Sequence, residues 1–60
     1  MTTYFLMITS SRGDMAYWEY DHEGVAKWEL ARLPFAVRVD SSDKLSKDQI
    51  EIYRKQITGL

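Results

Sequence analysis

Cysteine is absent from this chain of 60 residues, and other residue types that often mark a chemical site are scarce. Without cysteine there can be no disulfide framework, no thiolate nucleophile and no cysteine-based zinc site. The absence fits a reducing compartment, and we expect a cytoplasmic protein. Only one histidine, one proline and three glycines are present, so we expect no metal site, no cofactor and no low-complexity linker.

An excess of positive charge is also missing, because the formal net charge is -1. Proteins that bind nucleic-acid backbone normally carry a clear surplus of Lys and Arg, so nucleic-acid binding is not favoured. The longest fully apolar run covers residues 4–8, which is far too short to cross a bilayer. No basic region followed by a long apolar stretch opens the chain, so no signal peptide is expected. We interpret residues 1–60 as one small domain.

The first third of the chain predicts a strand and a turn. Residues 2–9 are apolar at consecutive positions with threonine at both ends, which is typical of a strand covered on both faces. Residues 10–14 then predict a turn, in which Gly13 is free to take positive φ.

The middle of the chain predicts a hairpin with paired tryptophans. Residues 15–20 favour a strand, and residues 21–24 (Asp-His-Glu-Gly) suit a tight turn. The register that follows places Trp18 opposite Trp28 and Glu19 opposite Lys27, which are favourable cross-strand pairs. We therefore favour a strand over residues 25–33 and expect both tryptophans in the core.

A helix over the same residues 25–33 is the alternative. The segment is rich in good helix formers, and Ala26, Leu30 and Leu33 share one helical stripe. Pro34 could end such a helix. The sequence leaves both possibilities open.

The last third predicts a strand and then a capped helix. Residues 35–39 alternate between two faces, with Pro34 at the entry of the strand. Ser46 and Gln49 match a capping box, Leu45 and Ile50 sit at the positions of a hydrophobic staple, and Gly59 suits the C-terminal stop. The fold class predicted is α+β, with an antiparallel three- or four-stranded meander and one C-terminal helix packed on one face.

Catalytic patterns are not found. No carboxylate stands in a setting that would shift its pKa usefully, and no nucleophile motif, phosphate-binding glycine loop or metal-binding helix is present. His22 lies between Asp21 and Glu23, and we interpret it as an exposed turn residue rather than a metal ligand. The chain is therefore not expected to be an enzyme.

A surplus of apolar positions points instead to binding. If Tyr4, Leu6 and Ile8 face the C-terminal helix, other apolar side chains of the sheet lie on its uncovered face, which often marks an interface. Ile52 likewise points away from the helical stripe of Ile50, Tyr53 and Ile57. The interaction candidates are Phe5, Met7, Tyr17, Ile52 and Lys55.

The order of elements resembles that of small accessory proteins encoded by lambdoid temperate phages and prophages. The features concerned are the apolar strand at residues 4–8, a tryptophan-bearing strand around Trp28 and the Ser-Asp-Lys-Leu-Ser-Lys lead at residues 42–47. The resemblance implies a protein that acts on host machinery by binding, and it transfers no site residues. We expect a non-enzymatic interaction module that self-associates or binds a host protein. The alternative is a single-stranded nucleic-acid binder that uses Phe5, Tyr17 and the basic residues near the last helix.

Overall fold

Strand β1, Tyr4–Thr9, is the central strand of an antiparallel sheet in the computed structural model, which describes residues 1–57. Strands β2, Met15–Tyr20, and β3, Ala36–Ser41, flank it in the order β2–β1–β3. The predicted α+β class with an antiparallel sheet is confirmed. The meander is wrong, because β3 pairs with β1 and not with β2.

The connection between β1 and β2 is the predicted turn. Gly13 adopts a φ of 89°, a conformation that side chains other than glycine rarely take. The Ser10 N–H donates to the Asp14 carbonyl at 2.9 Å, and the Asp14 N–H donates to Ser10 Oγ at 3.1 Å. These bonds close the hairpin and fix its register, in which Leu6 lies opposite Trp18.

The predicted strand over residues 25–33 is wrong, because these residues belong to helix α1, Glu23–Arg32. The expected turn at residues 21–24 is instead the start of this helix. His22 is its N-cap, and the Gly24 N–H donates to His22 Nδ1 at 3.1 Å. Trp18 and Trp28 consequently do not pair, and Trp28 is 60% exposed instead of lying in the core.

Two ion pairs between neighbouring turns contribute to the stability of this helix. Glu23 and Lys27 form an i,i+4 ion pair at 3.6 Å, and Glu29 and Arg32 form an i,i+3 pair at 2.9 Å. Such pairs stabilise a helix by about 0.2–0.5 kcal/mol each. Leu33 is extended, as expected for the residue before proline, and it ends the helix.

Helix α2, Lys47–Lys55, begins at the predicted cap after a short 3-10 turn, Ser42–Lys44. The Gln49 N–H donates to Ser46 Oγ at 3.2 Å, so the predicted N-cap at Ser46 is confirmed. The proposed stop at Gly59 lies outside the described residues. Within residues 1–57, neither helix is long and apolar enough to cross a membrane.

The two faces of the sheet are covered by different helices. Tyr53 of α2 packs edge-on against Phe5, with ring centroids 5.6 Å apart, and stacks on Tyr17 at a centroid distance of 3.8 Å. Met7 completes this cluster, and the half-buried residues around it are Leu45, Ile50 and Ile57. The expectation that Phe5 and Met7 face away from the C-terminal helix is therefore wrong.

Helix α1 lies over the opposite face. Leu6 and Ile8 alternate in direction with Phe5 and Met7 along β1, and they are buried together with Ala26 of α1. The helix approaches all three strands. Two helices rather than one thus enclose the sheet, which explains why β1 is apolar at consecutive positions.

Candidate interaction surface

A groove opens at the end of the sheet where β1 stops and β2 begins. Its volume is about 610 Å³, and its lining is mostly apolar. We name it the sheet-end groove, and its lining residues are Ile8, Thr9, Ser10, Ser11, Asp14, Met15, Ala16 and Phe35.

The hairpin turn and Pro34 place the two sides of this groove. On one side, the turn closed by Ser10 delivers Met15 as the first residue of β2, opposite Thr9. On the other side, Phe35 follows Pro34, and its carbonyl accepts a hydrogen bond from the Thr9 N–H at 3.1 Å. This bond anchors the backbone of Phe35 to the central strand, so both sides of the groove are attached to the sheet.

Large apolar side chains at the groove remain in contact with solvent. Met15 is 50% exposed and Phe35 is 43% exposed, whereas Ile8 at 6% belongs to the core. A methionine adapts its shape to a partner, and a phenylalanine offers a rigid apolar surface, so the pair is suited to protein recognition.

One acidic side chain stands at the rim of the groove. Asp14 lines it and forms an ion pair with Arg12 at 3.3 Å, in which both side chains are highly exposed. Exposed pairs of this kind contribute about 0–1 kcal/mol. A basic group of a partner can therefore replace Arg12 at little cost.

The outer face of α1 carries a second apolar patch. Val25 is 47% exposed and Trp28 is 60% exposed, and the Arg32 guanidinium lies 4.8 Å from the centroid of the Trp28 ring. Arg32 also binds the Glu29 carboxylate through both oxygens, at 3.1 and 2.9 Å. Trp28 is more exposed than Met15 or Phe35, but the Arg32 guanidinium lies over its ring, so a partner could reach that ring face only by displacing Arg32.

A polar network centred on Arg38 lies on the face of the sheet that α2 covers. Arg38 Nε donates to both oxygens of Asp40, at 3.1 and 2.9 Å. Its Nη2 lies 3.3 Å from the hydroxyl oxygens of Tyr17 and Tyr53, and the Tyr53 hydroxyl donates to Asp40 Oδ2 at 3.0 Å.

Contacts and burial within this network shift the pKa values of two of its members. The hydrogen bonds of Arg38 with Tyr53 and Asp40 raise the pKa of its guanidinium, and burial raises the pKa of the Tyr17 hydroxyl. Arg38 and Asp40 neutralise each other within the chain, so the network has no net positive charge that would attract a free anion. Its chemistry is that of a structural connection between β3, β2 and α2.

The structure separates the five sequence-predicted candidates into two groups. Phe5, Met7 and Tyr17 are buried, with exposures of 0%, 9% and 3%, because α2 covers the face on which they lie. Ile52 is 49% exposed and Lys55 is exposed, and both belong to the outer part of α2. The three buried residues therefore offer no surface to a partner.

Sequence reasoning missed Met15 and Phe35 as candidate residues. The sequence predicts that both residues belong to strands. Their exposure depends on where the β1–β2 hairpin meets the segment that leads from α1 into β3. The one available signal was position: each lies next to a turn residue, Asp14 or Pro34, where a strand leaves its neighbours.

Metal-binding side chains do not cluster in the part of the chain that the structure describes. Across residues 1–57, no three of the histidine and carboxylate side chains come together in a way that could hold a metal ion. His22 uses its Nδ1 as a helix cap.

Comparisons with protein-family models, curated proteins and solved structures give no match for this chain.

Proposed function

We propose that this chain is a non-enzymatic protein-interaction module and that its sheet-end groove receives an apolar side chain of a protein partner. The observation that carries the proposal is the pairing of exposed Met15 and Phe35 across one apolar groove. Burying apolar surface contributes about 25 cal/mol per Å², so two half-exposed side chains of this size offer a useful anchor. Action on a host factor, as the phage resemblance implies, remains part of the proposal.

The charge at the rim of the sheet-end groove indicates which charge the partner segment carries. Asp14 is the charged residue that lines the groove, and its pairing with Arg12 is weak because both side chains are exposed. We therefore expect the partner segment to carry a Lys or Arg close to its apolar anchor. Complementary charge at an interface favours association and fixes orientation.

The nucleic-acid alternative loses its physical basis in this fold. It required Phe5 and Tyr17 to stack on bases, and both rings are buried against Tyr53. Base stacking needs an aromatic face that is open to the strand. For this reason the protein-interaction reading is the one we propose.

Capture from a lysate of the producing cells tests the proposal. Immobilised wild-type protein is compared with Met15→Ser, Phe35→Ser and Ile52→Ser, where Ile52 is a matched control because its 49% exposure is close to that of Met15 and Phe35. We expect both groove substitutions to abolish capture of a specific protein and the control to retain it. Capture that survives both groove substitutions would contradict the proposal, and loss with Ile52→Ser alone would assign the interface to the outer face of α2.

A further inference from the structure

The outer edge of β3 is open in the part of the chain that the structure describes, residues 1–57. On the opposite edge, the Tyr17 N–H of β2 donates to the Gln56 carbonyl at 3.3 Å, and Tyr17 forms a parallel bridge with Ile57. Among residues 1–57, no strand pairs with the outer side of β3. An open edge presents backbone N–H and C=O groups that can pair with another chain.

The ladder between β1 and β3 shows which backbone groups point outward. The Ser42 N–H donates to the Thr3 carbonyl at 2.8 Å, continuing the register in which Tyr4 lies opposite Ser41. Because inward and outward residues alternate along an antiparallel strand, Asp40 points its backbone groups toward β1. The N–H and C=O groups of Val39 and Ser41 then point away from the sheet.

The side chains around Val39 are complementary to a second copy of themselves. Residues 37–41 read Val-Arg-Val-Asp-Ser, so Arg38 and Asp40 flank Val39 symmetrically. If two β3 strands pair antiparallel about a two-fold axis at Val39, Arg38 of each copy lies opposite Asp40 of the other. Opposite charges at directly facing positions stabilise a strand pair, whereas like charges destabilise it.

Side chains along β3 are accessible to solvent. The side chain of Arg38 is 47% exposed and Val37 is 49% exposed. A groove of about 360 Å³ runs beside the strand and is lined in part by Val39, Asp40 and Ser41. Asp40 Oδ1 accepts one hydrogen bond, from Arg38, and a carboxylate oxygen can accept a second.

We propose that a second copy of this chain pairs with β3 through residues 37–41, giving a continuous six-stranded sheet. Val39 of the two copies forms the central hydrogen-bonded pair, and the Arg38–Asp40 pairs flank it. This contact uses the edge of the sheet rather than the sheet-end groove, so it holds or fails independently of the proposed function. Because five residues of one edge bury much less than the roughly 1,200 Å² of a stable interface, we expect a weak dimer.

Sedimentation equilibrium of the wild-type protein is the first test. The mass of one chain is 7.1 kDa, and we expect the apparent mass to rise toward twice this value between about 10 µM and about 1 mM, the range of a weak association. A mass that stays at that of one chain over the whole range would overturn the proposal.

A charge exchange tests the register. Arg38→Asp makes both flanking positions acidic, and Asp40→Arg makes both basic, so each variant alone is expected to remain monomeric. An equal mixture of the two restores opposite charges across the pair and is expected to dimerise at least as well as the wild type. If the mixture stays monomeric while the wild type dimerises and circular dichroism shows that both variants are folded, the proposed register is wrong.

Val39→Pro tests the edge without changing any charge. Proline removes an N–H that points away from the sheet, which edge strands tolerate, so circular dichroism should show a folded protein that no longer dimerises. Phe35→Ser, in the sheet-end groove, is the control that should dimerise as the wild type does. Unchanged dimerisation of Val39→Pro would refute pairing through β3.

Discussion

Replacing Phe5 by leucine should destabilise the protein more than the same replacement of Trp28, although tryptophan is the larger residue. Phe5 is fully buried and packs edge-on against Tyr53. An aromatic pair contributes about 0.5–1.5 kcal/mol beyond area burial, and a hydrophobic swap of similar volume costs up to about 1.5 kcal/mol. Together these contributions predict that Phe5→Leu lowers the free energy of unfolding by about 0.5–3 kcal/mol.

Trp28→Leu should cost less, because the side chain is 60% exposed and its main specific contact is with Arg32. An exposed cation–π contact contributes about 0.5–1 kcal/mol. Urea denaturation followed by circular dichroism measures both variants without relying on tryptophan fluorescence, and an unchanged slope would show that stability alone has changed. If Trp28→Leu proves more costly than Phe5→Leu, the assignment of Trp28 to the surface of α1 is refuted.

Three further predictions concern caps, titration and the surface. Removing the N-cap with His22→Ala should cost about 1 kcal/mol, and His22→Asp should recover most of it; equal melting temperatures for all three proteins would show that the cap contributes nothing. Burial raises the pKa of Tyr17 above its ordinary value of 10.0, so its contribution to stability is complete below pH 10 and is lost as pH rises through the raised pKa. Denaturation at increasing alkaline pH should therefore show a smaller loss of stability in Tyr17→Phe than in the wild type, and parallel curves would contradict this. Because Ile52 is half exposed, Ile52→Lys should change the free energy of unfolding by no more than about 0.5 kcal/mol, and a larger loss in thermal unfolding would place it in the core.

The parts of the fold that local chemistry determines were predictable. The turn before β2 needed a glycine at positive φ, and Gly13 supplies it. The start of α2 needed a side-chain acceptor, and Ser46 supplies it. The strands at residues 15–20 and 36–41 also lie close to their predicted bounds.

Local signals alone could not distinguish helix α1 from a strand over residues 25–33. An imidazole caps α1 at His22, and histidine is outside the residue types that usually mark a helix start. The opposite-charge register of Glu19 with Lys27 also made a hairpin plausible, whereas the structure pairs Glu19 with Arg54 at 3.1 Å. The choice depends on the need to cover both faces of β1, which is a tertiary effect.

The wrong prediction of a strand over residues 25–33 also explains why Phe5 and Met7 are wrongly predicted to be exposed. With one helix only, one face of β1 had to be open, and Phe5 and Met7 were assigned to it. With two helices both faces are covered, and the exposed apolar surface moves to the end of the sheet around Met15 and Phe35. Only Ile52 and Lys55, whose exposure follows from helical periodicity within α2, were placed correctly on the surface.

Site-specific photo-cross-linking tests the central claim most directly. A benzophenone amino acid is introduced at position 35 in one protein and at position 52 in another, replacing side chains of similar exposure. The account predicts that irradiation in the producing cells links a specific partner protein to position 35 and not to position 52. A partner linked through position 52 and never through position 35 would contradict it.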